Sequence, residues 1–469
     1  MKNFQKDPAE TKSYRAIAGS SLWLKLFDKV ILILWGHLLT SGSLQMGYKK
    51  NSSTAQCSYV MMETISYILN NRSHPILVAL DMSSAFDKCK FDVLFTKLEA
   101  RLPAVLVRVL IFIYQQHYAW MRWGNTRKSD TFHIYNGTRQ GSVLSPALFS
   151  VYVQDLLDEL QNLGVGCYIC NTFLGAIAWA DDFLLLAPNR AAMQQMLDLA
   201  ADFGLQNNLE FSCDPDPVKT KSKAIYMIGK KTALPKPMNL QLYGKPLPWV
   251  AHATHLGHEF HEDGTMAMDA RMKRGAYIGK SLEVRDNFGF AGPTEVLAAV
   301  KLFAADLYGG MLWRLDSPEA QQVMRCWNTT VKDVWGLDRA THTATVRWLA
   351  SPHSSLREDL LSRWVKYFQS CVNSRSPEVC TIARIAAGDL RTTTGSNNRL
   401  ISELGLDPYT ATPADVREKI KESEPQESEE QMAKLGLLLE LLQRRGEDYY
   451  EGEEKDGEIN ELIDFLCTA

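Results

Sequence analysis

Two apolar runs in this chain carry acidic residues, and this constrains the fold more than any other feature. The segment HPILVALDMSSAFD predicts a short strand over residues 76–80 that ends at Asp81. The segment LGAIAWADDFLLLA places Asp181 and Asp182 in the middle of an apolar hairpin. A uniformly apolar strand is buried on both faces, and an unpaired charge in such surroundings costs several kcal/mol. The fold therefore has to supply partners for these carboxylates.

Divalent cations are the usual partners when several carboxylates come together. Oxygen ligands without nearby His or Cys select Mg²⁺ over zinc. Two such ions stabilise the attacking and leaving oxygens of an in-line phosphoryl displacement. Simpler interpretations stay open at this point, because an Asp-Asp pair is common at hairpin turns and Asp81 alone could cap the next helix.

Helical periodicity dominates most of the remaining chain. Leu22, Leu26, Val30 and Ile33 recur at helical spacing, and with the charged residues before Val30 they predict an amphipathic, buried helix within residues 20–39. Further helices are predicted over residues 54–69, 145–160 and 190–203, and the chain is mainly helical from residue 269 onward. No internal repeat is present.

The net charge of -3 conceals an uneven distribution. Residues 1–420 contain 46 basic and 39 acidic side chains, whereas residues 421–469 contain 5 basic and 15 acidic ones. The larger part of the chain is therefore mildly basic, which is compatible with a nucleic-acid partner. The acidic, polar stretches 421–430 and 446–458 are predicted to be mobile.

The cysteines and the apolar stretches bear on the compartment. The nine cysteines are scattered and odd in number, which favours reduced thiols in an intracellular protein of the nucleus or cytoplasm. The most apolar stretch, residues 30–39, falls well short of the ~20 residues that span a bilayer. We expect neither secretion nor a membrane partner. The sequence gives no indication of oligomeric state.

Three ordered motifs carry a family resemblance. LDMSSAFD (80–87), RQGSVLSPALF (139–149) and AWADDFLLLA (178–187) resemble motifs A, B and C of reverse transcriptases. SYRAI (13–17), QMGYKKNSST (45–54), THLG (254–257) and YGGMLW (308–313) are similar to flanking segments of the non-LTR retrotransposon type. Ala16, Lys49 and Trp179 depart from that family's usual residues. The resemblance also implies an N-terminally truncated copy, because the family's endonuclease has no counterpart here.

The resemblance implies an α+β, right-hand polymerase whose palm contains an antiparallel sheet. Residues 1–265 would form fingers and palm, 266–345 a helical thumb, 346–420 a helical extension and 421–469 an acidic, partly disordered tail. The implied reaction is RNA-templated DNA synthesis from a primer 3′-hydroxyl, with two Mg²⁺ ions (or Mn²⁺). RNA template, DNA primer and dNTPs would be its partners.

The resemblance also implies roles for single residues. Asp81 and Asp181 would hold both metals, with Asp182 as a weaker ligand or a supporting carboxylate. Phe86 would exclude a ribose 2′-hydroxyl by steric conflict, although it could instead be an ordinary core residue. Two further residues, Gln140 and Gly141, would contact the incoming nucleotide and template. Arg15 would grip the triphosphate as a charged fork.

One lysine of the segment VKTKSKAIYM is expected to protonate the leaving pyrophosphate. Lys219, Lys221 and Lys223 would share one face of a strand, and Lys221 is favoured among them. A solvated basic strand face is the equally weighted alternative.

Two rival functions stay open. An RNA-templated RNA polymerase would share the carboxylates, but the large Phe86 speaks against it. A catalytically weak or inactive nucleic-acid-binding remnant of a retroelement is favoured by the missing upstream part and opposed by the three retained aspartates.

Overall fold

The computed structural model describes residues 19–123, 126–127, 129–139, 141–229, 239–423, 433–442 and 463. Within this part the chain divides into two compact units. The first runs up to Gly257 and includes His261–Gly264 and Arg375–Val379; the second contains His258–Phe260, Thr265–Ser374 and the chain from Cys380 onward. The domain boundaries predicted at residues 265, 345 and 420 stay predictions.

The strands follow one another along the first half of the chain. They are β1 (Ile76–Asp81), β2 (Tyr118–Ala119), β3 (Arg122–Trp123), β4 (Thr126–Arg127), β5 (Phe132–His133), β6 (Tyr168–Ile169), β7 (Thr172–Phe173), β8 (Ala176–Trp179), β9 (Asp182–Ala187), β10 (Lys223–Tyr226), β11 (Gln241–Leu242), β12 (Lys245–Pro246), β13 (His252–His255) and β14 (His258–His261).

The largest sheet of the first unit has the order β10-β1-β9-β8, and all its pairs are antiparallel. β1 lies between β10 and β9, and its consecutive residues Ile76, Leu77 and Val78 are all buried, so both faces are covered; this explains its continuous apolar sequence. Ile76, Val78 and Leu80 enter a core cluster, in which Leu148 of a covering helix is also fully buried. Burial of each such side chain contributes about 1.5–3 kcal/mol. The predicted α+β class with an antiparallel sheet is confirmed.

The helices of the first unit lie between these strands in sequence. They are α1 (Leu22–Trp35), α2 (Thr54–Asn70), α3 (Ala85–Lys88), α4 (Phe91–Glu99), α5 (Ala104–Gln115), α6 (Ser145–Asn162) and α7 (Arg190–Gln206). α2 begins with a capping box in which Ser53 and Gln56 satisfy each other's backbone N–H groups. Pro146 occupies the first turn of α6, where its missing N–H is harmless.

α1 forms where helical spacing predicted it, but the expected burial of its apolar face is wrong. Leu22, Leu26, Val30 and Ile33 are 77%, 51%, 41% and 72% exposed, and the helix instead buries Asp28 and Ile31. The helix is apolar on more than one face, and the face that packs inward is anchored by a hydrogen bond from the Ser142 hydroxyl to the Asp28 carboxylate.

The later part of the chain is helical, as predicted. It contains α8 (Ala267–Phe288), α9 (Pro293–Phe303), α10 (Pro318–Trp335), α11 (Thr343–Ala350), α12 (Leu356–Val372), α13 (Pro377–Ala387), α14 (Thr393–Glu403) and α15 (Pro413–Ser423). Residues 433–442 form a further helix, within the acidic segment 421–469 and between the two stretches predicted to be mobile, and bury Leu435, Leu438 and Leu442. The rest of that acidic segment lies mostly outside the described residues.

A buried polar network stabilises the second unit. The Asp269 carboxylate, which is 3% exposed, accepts hydrogen bonds from Lys273 Nζ (2.9 Å), Trp313 Nε1 (2.7 Å) and the backbone N–H of Glu259 (3.2 Å). Both oxygens of this buried carboxylate therefore have donors. Among the helices described, none is both long and apolar enough to cross a membrane.

Candidate active site

The register of the central strands brings the predicted aspartates to one end of the sheet. Asp81 at the end of β1 lies directly opposite Asp182 at the start of β9. Directly opposed residues of an antiparallel pair have Cα atoms about 4.5–5.5 Å apart. Trp179 also pairs with Asp182, so Ala180 and Asp181 form the turn between β8 and β9. The sheet thus places three carboxylates on adjacent backbone positions.

The backbone of Asp81 is fixed on both sides. Its N–H donates to Ser222 Oγ (3.1 Å), and its C=O accepts from the Ser212 N–H (2.8 Å). The carboxylate, 22% exposed, holds the ammonium group of Lys221 at 3.0 Å from Oδ1 and 3.3 Å from Oδ2. Lys221 is itself 68% exposed. The pair is therefore open to solvent on the lysine side, where an ion pair is weak.

Of the three candidate lysines, Lys221 is the one bonded to Asp81. The expectation that all three share a strand face is wrong, because β10 begins only at Lys223. The residues before it form a turn in which the Val218 N–H bonds to Asp216, and Lys219 lies 3.8 Å from that same carboxylate.

Asp181 and Asp182 are partly buried, and their negative field acts on neighbouring groups. The pKa of Tyr48 is raised above its ordinary value, first by burial and then by the charges of Asp181 and Asp182. The pKa of the buried Cys57 thiol is also raised, mainly by desolvation and further by Asp182. In both cases burial is the larger cause of the raised pKa, and the negative charge of the aspartates adds to it.

The donor type suits a hard divalent cation, because Asp81, Asp181 and Asp182 offer carboxylate oxygens from neighbouring backbone positions at one end of the sheet. Asp81 already binds a cation, in the form of the Lys221 ammonium group. Across the described part of the chain, no group of three or more His, Cys, Asp and Glu side chains stands in a metal-holding arrangement. The assignment of Asp81, Asp181 and Asp182 as metal ligands stays a prediction.

Phe86 lies in α3, five residues after Asp81. It follows Ser84, which has a left-handed backbone (φ 54°), and its ring stacks on Phe149 with centroids 4.3 Å apart. Tyr48 meets it edge-on at 6.5 Å. The Thr138 N–H donates to the Phe86 carbonyl (2.7 Å). The ring is partly buried and held on two sides, so its position is fixed.

Comparison with known proteins agrees with these features. Residues 4–226 match the family described as reverse transcriptase (RNA-dependent DNA polymerase), over the stretch that contains the sheet and all three aspartates. Residues 4–226 belong to the reverse transcriptase family.

The similar curated proteins are reverse transcriptases of non-LTR retrotransposons. The chain is 24% identical over 193 residues to the Pol polyprotein of retrotransposable element R2DM of Drosophila melanogaster, covering 41% of this chain and 18% of that protein. It is 28% identical over 149 residues to the probable RNA-directed DNA polymerase from transposon BS of the same species, covering 31% and 16%. The chain therefore spans about a sixth of the length of these two relatives.

Among solved structures, telomerase from Candida tropicalis is similar. Its apo form, truncated from the C-terminal domain, matches with 12% identity and a TM-score of 0.35, covering 52% of this chain and 48% of that one. Its complex with a fragment of telomeric RNA matches with 9% identity and a TM-score of 0.37, covering 78% and 56%. These TM-scores are too low to establish a shared arrangement.

Two predicted nucleotide-binding residues of the reverse transcriptase domain, Arg15 and Gln140, lie outside the described residues. Gly141 has φ 101°, a conformation that only glycine adopts easily. The loop that precedes Gly141 contacts the end of α3, the helix that contains Phe86. The Gly137 N–H donates to the Cys89 carbonyl there (2.7 Å). The loop before Gly141 is thus held against the helix that carries Phe86.

Sequence reasoning missed a contact that holds the turn of the reverse transcriptase domain. Gln45 is fully buried, and its side-chain amide bonds to both backbone groups of Ala180. Ala180 has a left-handed backbone (φ 57°), which costs a non-glycine residue roughly 1–2 kcal/mol. A glutamine between Leu44 and Met46 was the one available indication, since a polar side chain in apolar surroundings needs a partner.

Proposed function

We propose that the chain synthesises DNA on an RNA template, adding dNTPs to the 3′-hydroxyl of a DNA primer. One observation carries the proposal: in a domain of the reverse transcriptase family, the end of the central sheet gathers Asp81, Asp181 and Asp182 beside a lysine. The geometry suits a reaction that moves a highly charged triphosphate, because such a substrate arrives with cations that need carboxylate ligands.

Asp81 and Asp181 would hold two Mg²⁺ ions, with Asp182 as a weaker or supporting ligand; Mn²⁺ would serve as well. The bound ions would supply stabilisation of charge on the attacking and leaving oxygens. The hydrogen bonds that fix the Asp81 backbone would keep its carboxylate in place during the reaction.

Lys221 would act after substrate binding. A metal at Asp81 would compete with the ammonium group for the same oxygens, and the exposed lysine side chain is free to turn toward solvent. The bond that breaks joins the α-phosphorus to the bridging oxygen of the pyrophosphate. Lys221 would deliver a proton to that leaving group, while the proton of the primer hydroxyl passes to solvent.

Phe86 would select the sugar of the incoming nucleotide. Its ring is stacked on Phe149 and cannot retreat, so a 2′-hydroxyl would collide with it. Gly141 would let the backbone approach the nucleotide, and Arg15 and Gln140 would contact the triphosphate and template.

We further propose the division of a right-hand polymerase. Residues 1–265 would be fingers and palm, 266–345 the thumb, 346–420 a helical extension and 421–469 an acidic tail. The separation of a sheet-containing unit from a helical unit supports this proposal.

The test is extension of a DNA primer on an RNA template with purified protein and Mg²⁺. Asp181→Asn should lower the rate by more than about 100-fold, because loss of a metal-binding carboxylate exceeds the effect of disturbing its surroundings. Asp198→Asn is the matched control, since Asp198 is an exposed carboxylate on α7 of the same unit. Equal extension by the parent and Asp181→Asn proteins would contradict the mechanism. Nucleic-acid binding without any extension would support the inactive remnant instead.

A further inference from the structure

The segment Gln45–Tyr48 runs along the free edge of the hairpin that carries the aspartates. Gln45 forms a parallel bridge with Ala178 of β8. The Ala178 N–H donates to the Leu44 carbonyl, and the Met46 N–H donates to the Ala178 carbonyl, both at 2.8 Å. The loop therefore extends the sheet by a short piece of backbone, on the strand that leads into the turn.

The Gln45 side chain then holds the turn itself. Its Oε1 accepts hydrogen bonds from the Ala180 N–H (2.8 Å) and the Gly47 N–H (3.0 Å), and its Nε2 donates to the Ala180 carbonyl (3.1 Å). Both backbone groups of one residue are thus satisfied by a single planar amide. That residue is the left-handed Ala180, immediately before Asp181.

The loop lies so close to the turn that a side chain does not fit at position 47. A Cβ on Gly47 would lie 2.6 Å from the Ala180 nitrogen and 3.0 Å from Gln45 Oε1. Glycine at this position lets the loop lie directly on the turn. With Gln45 fully buried and its Oε1 shared by two donors, the amide has one orientation that satisfies its partners.

We propose that Gln45 is the positioning residue of the catalytic carboxylates. Its amide keeps Ala180 left-handed, and this conformation sets the direction in which Asp181 and Asp182 leave the turn. The inference rests on the proposed function, because it assigns to these carboxylates the task of holding divalent cations. Gln45 itself touches neither substrate nor metal.

The first measurement is independent of activity. In the full chain, Gln45→Met removes the three hydrogen bonds at nearly constant side-chain length. Hydrogen exchange at the amides of residues 180–182 should accelerate at least about tenfold, because the Ala180 N–H loses its acceptor. Binding of Mn²⁺, followed by electron paramagnetic resonance, should weaken by about 10–100-fold, as for other groups that orient metal ligands.

Gln56→Met is the matched control. Gln56 is another buried glutamine of the same unit, and it accepts a hydrogen bond from the Ser53 N–H at the start of α2. Its loss should lower stability without changing Mn²⁺ affinity or exchange at residues 180–182. If both variants change these readouts equally, Gln45 is merely structural and the proposal is wrong.

Ala180→Gly supplies a rescue that a merely structural role would not show. Glycine reaches the left-handed conformation without the Cβ penalty, so the turn should depend less on Gln45. Gln45→Met should therefore weaken Mn²⁺ binding by a smaller factor in the Ala180→Gly background than in the parent. Equal factors in the two backgrounds would overturn the proposal.

A third variant covers failure of Gln45→Met to fold. Gln45→Glu keeps the side-chain length and both acceptor bonds, and loses the donation to the Ala180 carbonyl. Because the added charge would itself attract Mn²⁺, this variant is followed by hydrogen exchange alone. Exchange at residues 180–182 should accelerate, and unchanged exchange would contradict the positioning role.

The outcomes separate this inference from the proposed function. If the parent protein extends no primer while exchange and Mn²⁺ binding respond to Gln45→Met, the positioning role stands and the polymerase proposal fails. If the parent extends primers and Gln45→Met does so with the same Mn²⁺ dependence, the positioning role fails and the polymerase proposal stands.

Discussion

Asp81 in the first unit and Asp269 in the second are both carboxylates paired with a lysine, yet their surroundings differ. Asp269 is almost fully buried and accepts hydrogen bonds from a lysine, an indole and a backbone N–H. Asp81 is more exposed, lies opposite a second aspartate and holds one mobile lysine. A carboxylate whose donors are complete stabilises the fold, whereas one placed among other carboxylates is available for a ligand.

The strongest test replaces each carboxylate with an amide and compares the effects on stability and on primer extension. Asp269→Asn should destabilise the protein by about 3 kcal/mol, because it leaves the Lys273 charge poorly compensated in a buried site. Asp81→Asn should change stability by less than about 1 kcal/mol, since its lysine partner is exposed. Primer extension should show the reverse order, with a loss of more than about 100-fold for Asp81→Asn.

Urea unfolding followed by circular dichroism, together with extension rates per folded molecule, measures both quantities. The comparison breaks down if Asp81→Asn proves the more destabilising of the two, or if Asp269→Asn abolishes extension in molecules that remain folded.

The second prediction concerns the lysine partner of Asp81. Lys221→Met should lower kcat by about 100-fold, the effect expected for loss of a general acid, with little change in stability. Lys219→Met is the control, because Lys219 lies near Asp216 and not near Asp81. Single-turnover extension separates the chemical step from binding. A similar loss in both variants would show that the segment contributes charge rather than a proton.

The third prediction concerns the discrimination between dNTPs and NTPs that is proposed for Phe86. Phe86→Val should reduce discrimination against ribonucleotides by about tenfold, since it opens space of a few methyl groups. Competition between a dNTP and the matching NTP in primer extension measures the ratio. Phe91→Val is the control, because Phe91 packs against Phe95 and Tyr114. Unchanged discrimination would leave Phe86 as an ordinary core residue.

The last prediction concerns His258, beside the Asp269 network. Burial, and then the charge of Lys273, lowers the pKa of His258 to about 3. The unfolded chain therefore binds a proton at this position between about pH 6.5 and pH 3 that the folded chain does not. The stabilisation from a neutral His258 is complete above this window and declines as the pH falls through it.

Within that window His258 should contribute up to about 1.4 kcal/mol per pH unit to the loss of stability. His258→Gln removes the titrating group, so the variant should lose stability less steeply than the parent from pH 6.5 to pH 5. Chemical unfolding at several pH values gives the two slopes. Parallel slopes would mean that His258 does not differ in protonation between the folded and unfolded states.

Local patterns predicted the elements better than the contacts. An apolar run predicts β1. Pro at the first helical turn marks the starts of α6, α9 and α10. The burial of α1 was mispredicted, because a helix that is apolar on several faces does not reveal which one packs inward. Lys219, Lys221 and Lys223 were expected to share one strand face, which the late start of β10 does not support.

The contact between Gln45 and Ala180 could not be predicted from the sequence, for a different reason. The two residues are 135 positions apart, and their hydrogen bonds depend on the register of a loop against the edge of β8. Periodicity carries no information on such a contact. The roles of the aspartates, Phe86, Gly141 and Lys221 came from motif resemblance and stay proposals, as do those of Arg15 and Gln140.

The missing side chain of Gly47 has a consequence for the history of sequences like this one. Any other residue there would push the loop away from Ala180, because its Cβ would lie 2.6 Å from the Ala180 nitrogen. Copies that drift without selection would therefore lose a working site through one codon change, while all three aspartate codons remain intact. We expect that the state of positions 45 and 47 distinguishes decayed copies from working ones earlier than the aspartates do.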